Sequence, residues 1–302
     1  MNLKQIEVLG FYALEKAYKK QCKLSRDGTI GIRVSKGDGG DTSLRGDIES
    51  ENEVIEILKR YNFPAIIYAE EHGIIQLSDN PRYLVVIDGF DGSSALAKND
   101  NARGGTMLAI ATNLNPQYED FIFGGITDFS TNRIICAVKD KGAVVVNEKL
   151  EATKLEKFQL KQFNSKLRVH LDDPKYVGNY EEGITAQLDK IAEVVRKNFT
   201  LKLEGKVKCS GLMSSGAMCM DLITGVVDAV CGVSAKGVFE QPSEYSLLTQ
   251  LGGTIVDYSG KDIGKRFWLE DRILHKNNPT PSLRVSSPEL AKEMIGYLNS
   301  IK

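Results

Sequence analysis

Apolar residues near the start of the chain recur every three or four positions. Ile6, Leu9 and Ala13 share one face of a segment, and this spacing predicts a first helix over residues 3–22. A second helix is predicted over residues 47–61, after a polar, glycine-rich stretch. The beginning of the chain is therefore expected to supply two helices.

Strands and helices alternate along the rest of the chain. Short runs rich in β-branched residues predict strands at 65–68, 83–87, 106–112, 121–128, 133–138, 142–147, 167–171, 201–203, 226–231 and 254–258. Helical spacing predicts helices at 184–198, 215–224 and 243–251. Because both halves mix strands with helices, the pattern predicts a layered α/β or α+β fold. We expect one domain, 1–302, with an N-terminal half of about 1–150 and a C-terminal half of about 151–302.

Composition and charge narrow the classes of function. The 302 residues carry a formal net charge of −1, which provides no electrostatic footprint for nucleic acid or an anionic membrane. The longest apolar stretch, residues 212–233, contains Asp221 and Asp228 and is not expected to span a bilayer. The five cysteines form no C-x-x-C pair. This pattern predicts reduced thiols in a cytoplasmic protein and argues against a zinc site.

Carboxylates follow two of the predicted strands. Glu70 and Glu71 come directly after one strand, and Asp88 and Asp91 after another. Strand ends form the crevice in which α/β folds bind ligands. Like charges that converge there repel by several kcal/mol unless a cation lies between them. Oxygen ligands without nearby His or Cys favour Mg²⁺, Mn²⁺ or Ca²⁺, whereas the alternative is a pair of ordinary surface-turn acids.

The residues after Asp91 could bind an anion. Gly92, Ser93 and Ser94 are small, so the backbone can approach a phosphate and offer N–H groups at the start of a helix. The same three residues could merely cap that helix. Their position directly after the paired aspartates favours a phosphate site.

These segments resemble the inositol monophosphatase and fructose-1,6-bisphosphatase superfamily. Residues 69–71 (AEE) and 87–94 (IDGFDGSS) are similar to its G-E-E and D-P-[IL]-D-G-[ST] motifs. The similarity covers roughly residues 30–260 and implies a layered αβαβα sandwich that assembles as a homodimer. Further similar segments follow in the same order at 123–126, 137–143, 214–217, 225–229, 239–240 and 251–253.

The resemblance also implies roles for individual residues. The implied metal ligands are Glu70, Asp88, the backbone carbonyl of Phe90, Asp91 and Glu240, which would hold two or three Mg²⁺ ions, with Mn²⁺ as an alternative. Asp47 and Ser93 would orient and deprotonate the attacking water, and Glu70 would take part in catalysis. Substrate contacts are implied for Gly92, Ser93, Ser94, Lys36, Ser214 and Ser215.

Several of these residues could have a structural role instead of a functional one. Asp47 could serve as a helix cap, Lys36 as a solvated loop lysine, and Ser214 and Ser215 as the start of a helix. Glu244, four residues after Glu240, could replace it as a ligand.

Two positions depart from the superfamily pattern, and they affect the expected substrate. Gly89 stands in place of proline, and Gly232 stands where inositol monophosphatases carry a glutamate that contacts a ring hydroxyl. The resemblance implies a Mg²⁺-dependent phosphomonoesterase for a small sugar or polyol phosphate, such as fructose 1,6-bisphosphate or inositol 1-phosphate, with metal-activated water as the nucleophile. The alternatives are a 3′-phosphoadenosine phosphatase and a catalytically silent relative that binds metal and polyphosphate.

Overall fold

Helices form the outer and middle layers of the protein. The computed structural model describes residues 1–36, 42–96, 103–164, 167–172, 190–197, 200–201, 214–232, 238–274 and 281–300. Within these ranges the helices are α1 (Leu3–Arg26), α2 (Arg45–Arg60), α3 (Ser93–Leu96), α4 (190–197), α5 (Ser215–Ile223), α6 (Gln241–Gln250), α7 (Trp268–Leu274) and α8 (Pro288–Ser300).

The strands form two larger sheets and one two-stranded sheet. The strands of the described ranges are β1 (Arg33–Lys36), β2 (Thr42–Leu44), β3 (Ala65–Ala69), β4 (Gly73–Gln76), β5 (Tyr83–Asp91), β6 (Gly105–Ala111), β7 (Phe121–Asp128), β8 (Arg133–Val138), β9 (Gly142–Val146), β10 (Ala152–Lys154), β11 (Arg168–Asp172), β12 (Thr200–Leu201), β13 (Ala229–Gly232), β14 (Thr254–Asp257) and β15 (Ser282–Val285). Their orders are β10-β9-β8-β7-β6-β5-β3-β4 in the larger sheet and β12-β11-β13-β15-β14 in the smaller, while β1 pairs with β2.

Hydrophobic packing stacks these elements in five layers. Helices α1 and α2 cover one face of the larger sheet, where Leu14, Leu58 and Phe123 share a buried core. Helices α5 and α6 lie between the two sheets, in a second core that contains Met107. Helices α4 and α8 cover the far face of the smaller sheet. This arrangement is an αβαβα sandwich, and it confirms the predicted fold class.

The central strand of the larger sheet is buried on both faces. Every residue of β5 is buried, since α2 packs on one side and the middle layer on the other. A strand covered on both faces is expected to be continuously apolar. The two aspartates in the last four residues of β5 therefore break this rule, and this marks them as functional candidates.

The structure corrects some predicted boundaries. Helix α2 begins at Arg45, with Leu44 as its N-cap, and Asp47 therefore occupies the third helical position. Strand β5 continues to Asp91, with a register irregularity between Asp88 and Asp91, so the two aspartates belong to the strand itself. The division into halves near residue 150 stays a proposal. None of the described helices combines the length and the apolar character that crossing a membrane requires.

A buried ionic network ties the larger sheet to the middle layer. Arg103 donates to Asp128 at the end of β7 (Nη2–Oδ2, 2.8 Å) and to Asp221 on α5 (Nη1–Oδ1, 2.6 Å). Asp221 also contacts His170 on β11 of the smaller sheet, with 2.8 Å between its Oδ2 and the imidazole Nε2. Because one guanidinium neutralises two buried carboxylates, the network joins elements that are far apart in sequence.

We predict that Arg103→Met lowers the free energy of unfolding by about 3–5 kcal/mol, since it leaves two buried carboxylates without their cation. Lys59→Met is the matched control, because the Lys59–Glu56 pair is exposed and is expected to contribute less than about 0.5 kcal/mol. Urea denaturation measures both changes. Equal, small losses in the two variants would contradict the importance of the network.

Candidate metal centre

Three buried carboxylates converge between the larger sheet and the middle layer. Asp88 and Asp91 come from the end of β5, and Glu240 is the N-cap residue of α6. Each offers an oxygen within 4.8 Å of the others. They are 2%, 4% and 8% exposed, respectively, so water screens their charges poorly.

Glu70 and Asp47 belong to the same acidic cluster. Burial raises the pKa of Asp88 well above its usual range, and the charges of Glu70, Asp91 and Glu240 add to the effect. The pKa of Glu70 is also raised well above normal, first by burial and then by Glu240. Burial likewise raises the pKa of Asp47. Segments that are distant in sequence therefore deliver carboxylates to one point.

This arrangement fits a divalent cation. The donors are carboxylate oxygens, which are the ligands that hard cations such as Mg²⁺ and Mn²⁺ take. Asp88 Oδ1 is buried and has no hydrogen-bond partner among the described residues. A buried acceptor without a donor is costly unless a cation satisfies it. Asp88, Asp91 and Glu240 could therefore hold an ion, with Glu70 beside them.

The start of α5 orients the Asp91 carboxylate. Ser214 Oγ and the Gly216 N–H both donate to Asp91 Oδ2 at 2.6 Å, and Ser214 also caps α5 by accepting from the Ala217 N–H. The Ser215 N–H makes a longer contact of 3.3 Å to Asp91 Oδ1. The structure thus gives Ser214 a contact with a candidate metal ligand and confirms that it begins a helix, while substrate contacts by Ser214 and Ser215 stay predictions.

Helix α2 supplies Asp47 and fixes the turn after β3. Asp47 Oδ2 accepts from the Leu44 N–H at 2.7 Å, so this carboxylate also stabilises the start of the helix. Glu51, fully buried on the same helix, accepts from the N–H groups of Glu71 and His72, both at 3.1 Å. Glu51 therefore positions the turn that carries Glu70. Glu51 could not be identified from the sequence, because a glutamate among the polar residues of a helix has no distinguishing pattern.

Gly89 brings α2 and β5 into unusually close contact. A Cβ atom at this position would lie 2.2 Å from the Asp47 backbone oxygen, so neither alanine nor the expected proline could fit without a shift of the helix. The Gly89 carbonyl accepts from Thr106 Oγ1 at 2.9 Å and from the buried Gln21 Nε2 at 3.2 Å. The departure at residue 89 is therefore part of how this chain places Asp47 beside the carboxylates.

The second departure also has a structural reason. A Cβ atom on Gly232 would lie 2.7 Å from Arg284 Nη1, so the guanidinium occupies the space of a side chain there. Arg284 Nε donates to Glu244 at 2.6 Å, and both residues are buried. Since Glu244 is bound to an arginine and Glu240 joins the two aspartates, the structure favours Glu240 over Glu244 as the metal ligand.

The remaining candidates are less well defined by contacts. Phe90 lies between the two aspartates with its ring buried, and a ligand role for its carbonyl stays a prediction. Ser93 begins α3 after Gly92, whose φ of +99° suits glycine. No hydrogen bond joins Ser93 to Asp47 in the described part of the chain, and their joint role stays a prediction. The side chains of Lys36 and Ser94 lie outside the described part of the structure.

Sequence comparison finds one partial relative of interest. The chain is 29% identical over 119 residues to the fructose-1,6-bisphosphatase/inositol-1-monophosphatase of Methanothermobacter thermautotrophicus. The match covers 37% of this chain and 41% of the relative, so the chain spans about two fifths of that protein's length. No protein-family model matches the chain.

Solved structures share the fold over the whole chain. The extragenic suppressor protein suhB of Bartonella henselae has a TM-score of 0.72 at 12% identity, with 99% of this chain and all of that chain covered. Leishmania major fructose-1,6-bisphosphatase has a TM-score of 0.70 at 13% identity, with 97% and 94% covered. An inositol monophosphatase family protein of Staphylococcus aureus has a TM-score of 0.68 at 15% identity, with 100% and 97% covered. The chain therefore has the fold of these solved proteins.

The acidic cluster predicts that divalent ions stabilise the protein and that the effect depends on pH. Because the folded-state pKa values of Asp47, Glu70 and Asp88 are raised, stability in chelator should fall as pH rises above the ordinary carboxyl range. We expect millimolar Mg²⁺ to raise the Tm by about 4 °C or more at pH 8 and by about 1 °C or less at pH 5. Scanning calorimetry in Mg²⁺ and in EDTA measures this. A Tm that does not change on addition of Mg²⁺ at pH 8 would argue against the metal centre.

A second prediction concerns Gly89. Gly89→Ala should destabilise the protein by about 1–3 kcal/mol, because the new methyl group overlaps the backbone of α2. Gly296→Ala is the control, since no atom lies within 4 Å of a Cβ placed there on α8 and alanine should stabilise the helix by about 0.5–1 kcal/mol. Denaturant melts of both variants provide the measurement. Opposite signs are expected, and a neutral Gly89→Ala would disprove the close approach.

Proposed function

We propose that this protein is a Mg²⁺-dependent phosphomonoesterase that hydrolyses a small sugar or polyol phosphate. The observation that supports the proposal most strongly is the buried cluster of Asp88, Asp91 and Glu240 beside the small residues Gly92 and Ser93. Such a cluster binds divalent cations, and divalent cations bind phosphate esters. The partial relative from Methanothermobacter thermautotrophicus carries a phosphatase name, which agrees with this activity.

Each group of residues has a separate task in the proposed reaction. Asp88, Asp91, Glu240 and Glu70 would hold the ions, and the backbone around Gly92 and Ser93 would receive the phosphate. When bound, divalent ions lower the pKa of water and neutralise charge on the phosphoryl and leaving oxygens. The chain's own residues then need only orient the water, accept its proton and exclude bulk solvent.

Asp47 is the proposed proton acceptor. Its carboxylate is buried next to the other acids, and burial raises its pKa, which makes it a stronger proton acceptor when it is ionised. Ser93 would relay or orient the water on the phosphate side. In-line attack by water transfers the phosphoryl group directly, so this mechanism requires no covalent enzyme intermediate.

Phosphate release from a panel of esters tests the proposal. The panel contains fructose 1,6-bisphosphate, inositol 1-phosphate and 3′-phosphoadenosine 5′-phosphate, each with Mg²⁺ and with EDTA. We expect Mg²⁺-dependent release from at least one sugar or polyol phosphate. Mg²⁺ binding without any release would favour the silent relative, and release from the nucleotide alone would favour the phosphoadenosine alternative. The expected homodimer and the cytoplasmic location stay predictions, of which sedimentation tests the first.

Asp88→Asn is the variant that tests this activity most directly. It removes a ligand charge from the crowded site, so turnover should fall at least about a thousandfold, while the Tm in EDTA should stay constant or rise. Asp79→Asn, at an exposed loop position, is the matched control and should retain full activity. Unchanged turnover in Asp88→Asn would contradict the proposed mechanism.

A further inference from the structure

The carboxylates of Asp88 and Asp91 meet, although the two residues are three positions apart on one strand. Side chains alternate between the faces of a regular strand, so residues three apart point to opposite sides. The register of β5 against β6 shows how this is avoided, with Asp88 paired to Met107 and Asp91 paired to Gly105. Gly89 and Phe90 therefore lie opposite the single residue Thr106. This β5 bulge adds one residue and turns Asp91 to the same face as Asp88.

A chain of buried hydrogen bonds holds the β5 bulge. Thr106 Oγ1 donates to the Gly89 carbonyl at 2.9 Å, and Gln21 Nε2 on α1 donates to Thr106 Oγ1 at 2.8 Å. The Gln21 amide also donates to Ser50 Oγ on α2 at 3.0 Å, and it lies 3.2 Å from the Gly89 carbonyl. The residues Gln21, Ser50 and Thr106 are fully buried. The bulge is thus tied to two helices and to the neighbouring strand.

The available hydrogen atoms fix the direction of this chain. A hydroxyl has one hydrogen, and Ser50 donates its own to the Gly46 carbonyl at 2.6 Å. Thr106 donates its hydrogen to Gly89, because a carbonyl can only accept. Both hydroxyl oxygens then accept the two amide hydrogens of Gln21. Bonds that run in one direction strengthen one another in a buried environment, so the Gln21 amide strengthens the bond from Thr106 to the bulge.

The β5 bulge has little rigidity of its own. A Cβ atom at residue 89 is excluded by the Asp47 backbone oxygen, which would lie 2.2 Å away, and glycine populates more backbone conformations than any other residue. Without the bonds to its carbonyl, Gly89 would be free to rotate. Asp88 and Asp91 would then move apart, since their like charges repel. Hydrogen bonds from α1 and β6 therefore supply the rigidity that a glycine lacks.

We propose that Gln21 and Thr106 are positioning residues, which hold the β5 bulge so that Asp88 and Asp91 face the same ion. This inference rests on the metal centre of the proposed function and adds two residues that contact neither ion nor substrate. The Thr106 hydroxyl and the Gln21 amide act through the Gly89 carbonyl. Removing either group should therefore weaken the binding of a divalent ion, although every carboxylate is still present.

Titration with Mn²⁺, followed by the electron paramagnetic resonance signal of the free ion, tests the proposal. Thr106→Val replaces the hydroxyl with a methyl group of similar size, and it should raise the Kd for Mn²⁺ about tenfold. Thr106→Ser retains the hydroxyl and should keep the Kd within about threefold of the wild-type value. Gln21→Met removes the donor to Thr106 and should raise the Kd about threefold or more.

Thr254→Val is the matched control. Thr254 is also buried in a strand, β14, but its hydroxyl donates to Asp262. This variant should lose stability and keep the wild-type Kd for Mn²⁺, which separates an effect on the metal centre from a general loss of folding energy.

The double variant Gln21→Met/Thr106→Val tests whether the two residues act together. Because both act through one carbonyl, the Kd of the double variant should be close to that of Thr106→Val. A Kd raised by the product of the two single effects would show independent action and would contradict the proposal.

The remaining outcomes separate the possible failures. Thr106→Val that binds Mn²⁺ as tightly as the wild type, or Thr106→Ser that binds it as weakly as Thr106→Val, would overturn the positioning role. If Thr106→Val does not fold, Gln21→Met decides: about threefold weaker binding supports the role, and unchanged binding overturns it. A wild-type protein that binds no Mn²⁺ would refute the metal centre and this inference with it. Weakened binding by the variants of a protein that hydrolyses no ester would support the positioning role and contradict the proposed function alone.

Discussion

The repulsion among buried carboxylates is the constraint on which the account of this protein depends. Asp88, Asp91 and Glu240 come from a strand end and a helix start that are about 150 residues apart in sequence, and they meet in a poorly hydrated space. The surrounding structure holds them there. Gly89 lets α2 approach β5, the start of α5 donates to Asp91, and neighbouring polar groups fix the adjoining turns.

The rest of the molecule shows how this protein treats acids that serve structure. Asp221 is buried but lies beside His170 and Arg103, and these partners hold its pKa below the usual range despite burial. The pKa of Asp228 is likewise lowered by its contacts with Arg168, despite burial. At the candidate metal centre the pKa values are raised instead, because burial is the largest cause there and the neighbouring acids add to it. This contrast distinguishes the cluster from the ion pairs of Asp221 and Asp228 on physical grounds, without reference to any relative.

Much of this arrangement could be predicted from the sequence. Periodicity located α1 and most strands, since burial on one face leaves a regular pattern. The position of acids directly after an apolar run identified Asp88 and Asp91. The roles of Glu51 and Arg103 could not be predicted, because their partners are set by tertiary contacts over long sequence separations. The need for glycine at residue 89 could not be predicted either, since the clash of a Cβ atom there would be with α2, a helix from another part of the chain.

Anomalous X-ray scattering from crystals soaked in Mn²⁺ tests the central claim most directly. We predict a strong anomalous peak within coordination distance of oxygens from Asp88, Asp91 and Glu240, with loss of the peak in an Asp88→Asn crystal. Carboxylates that stay together with no ion between them, or manganese found only at the protein surface, would contradict it.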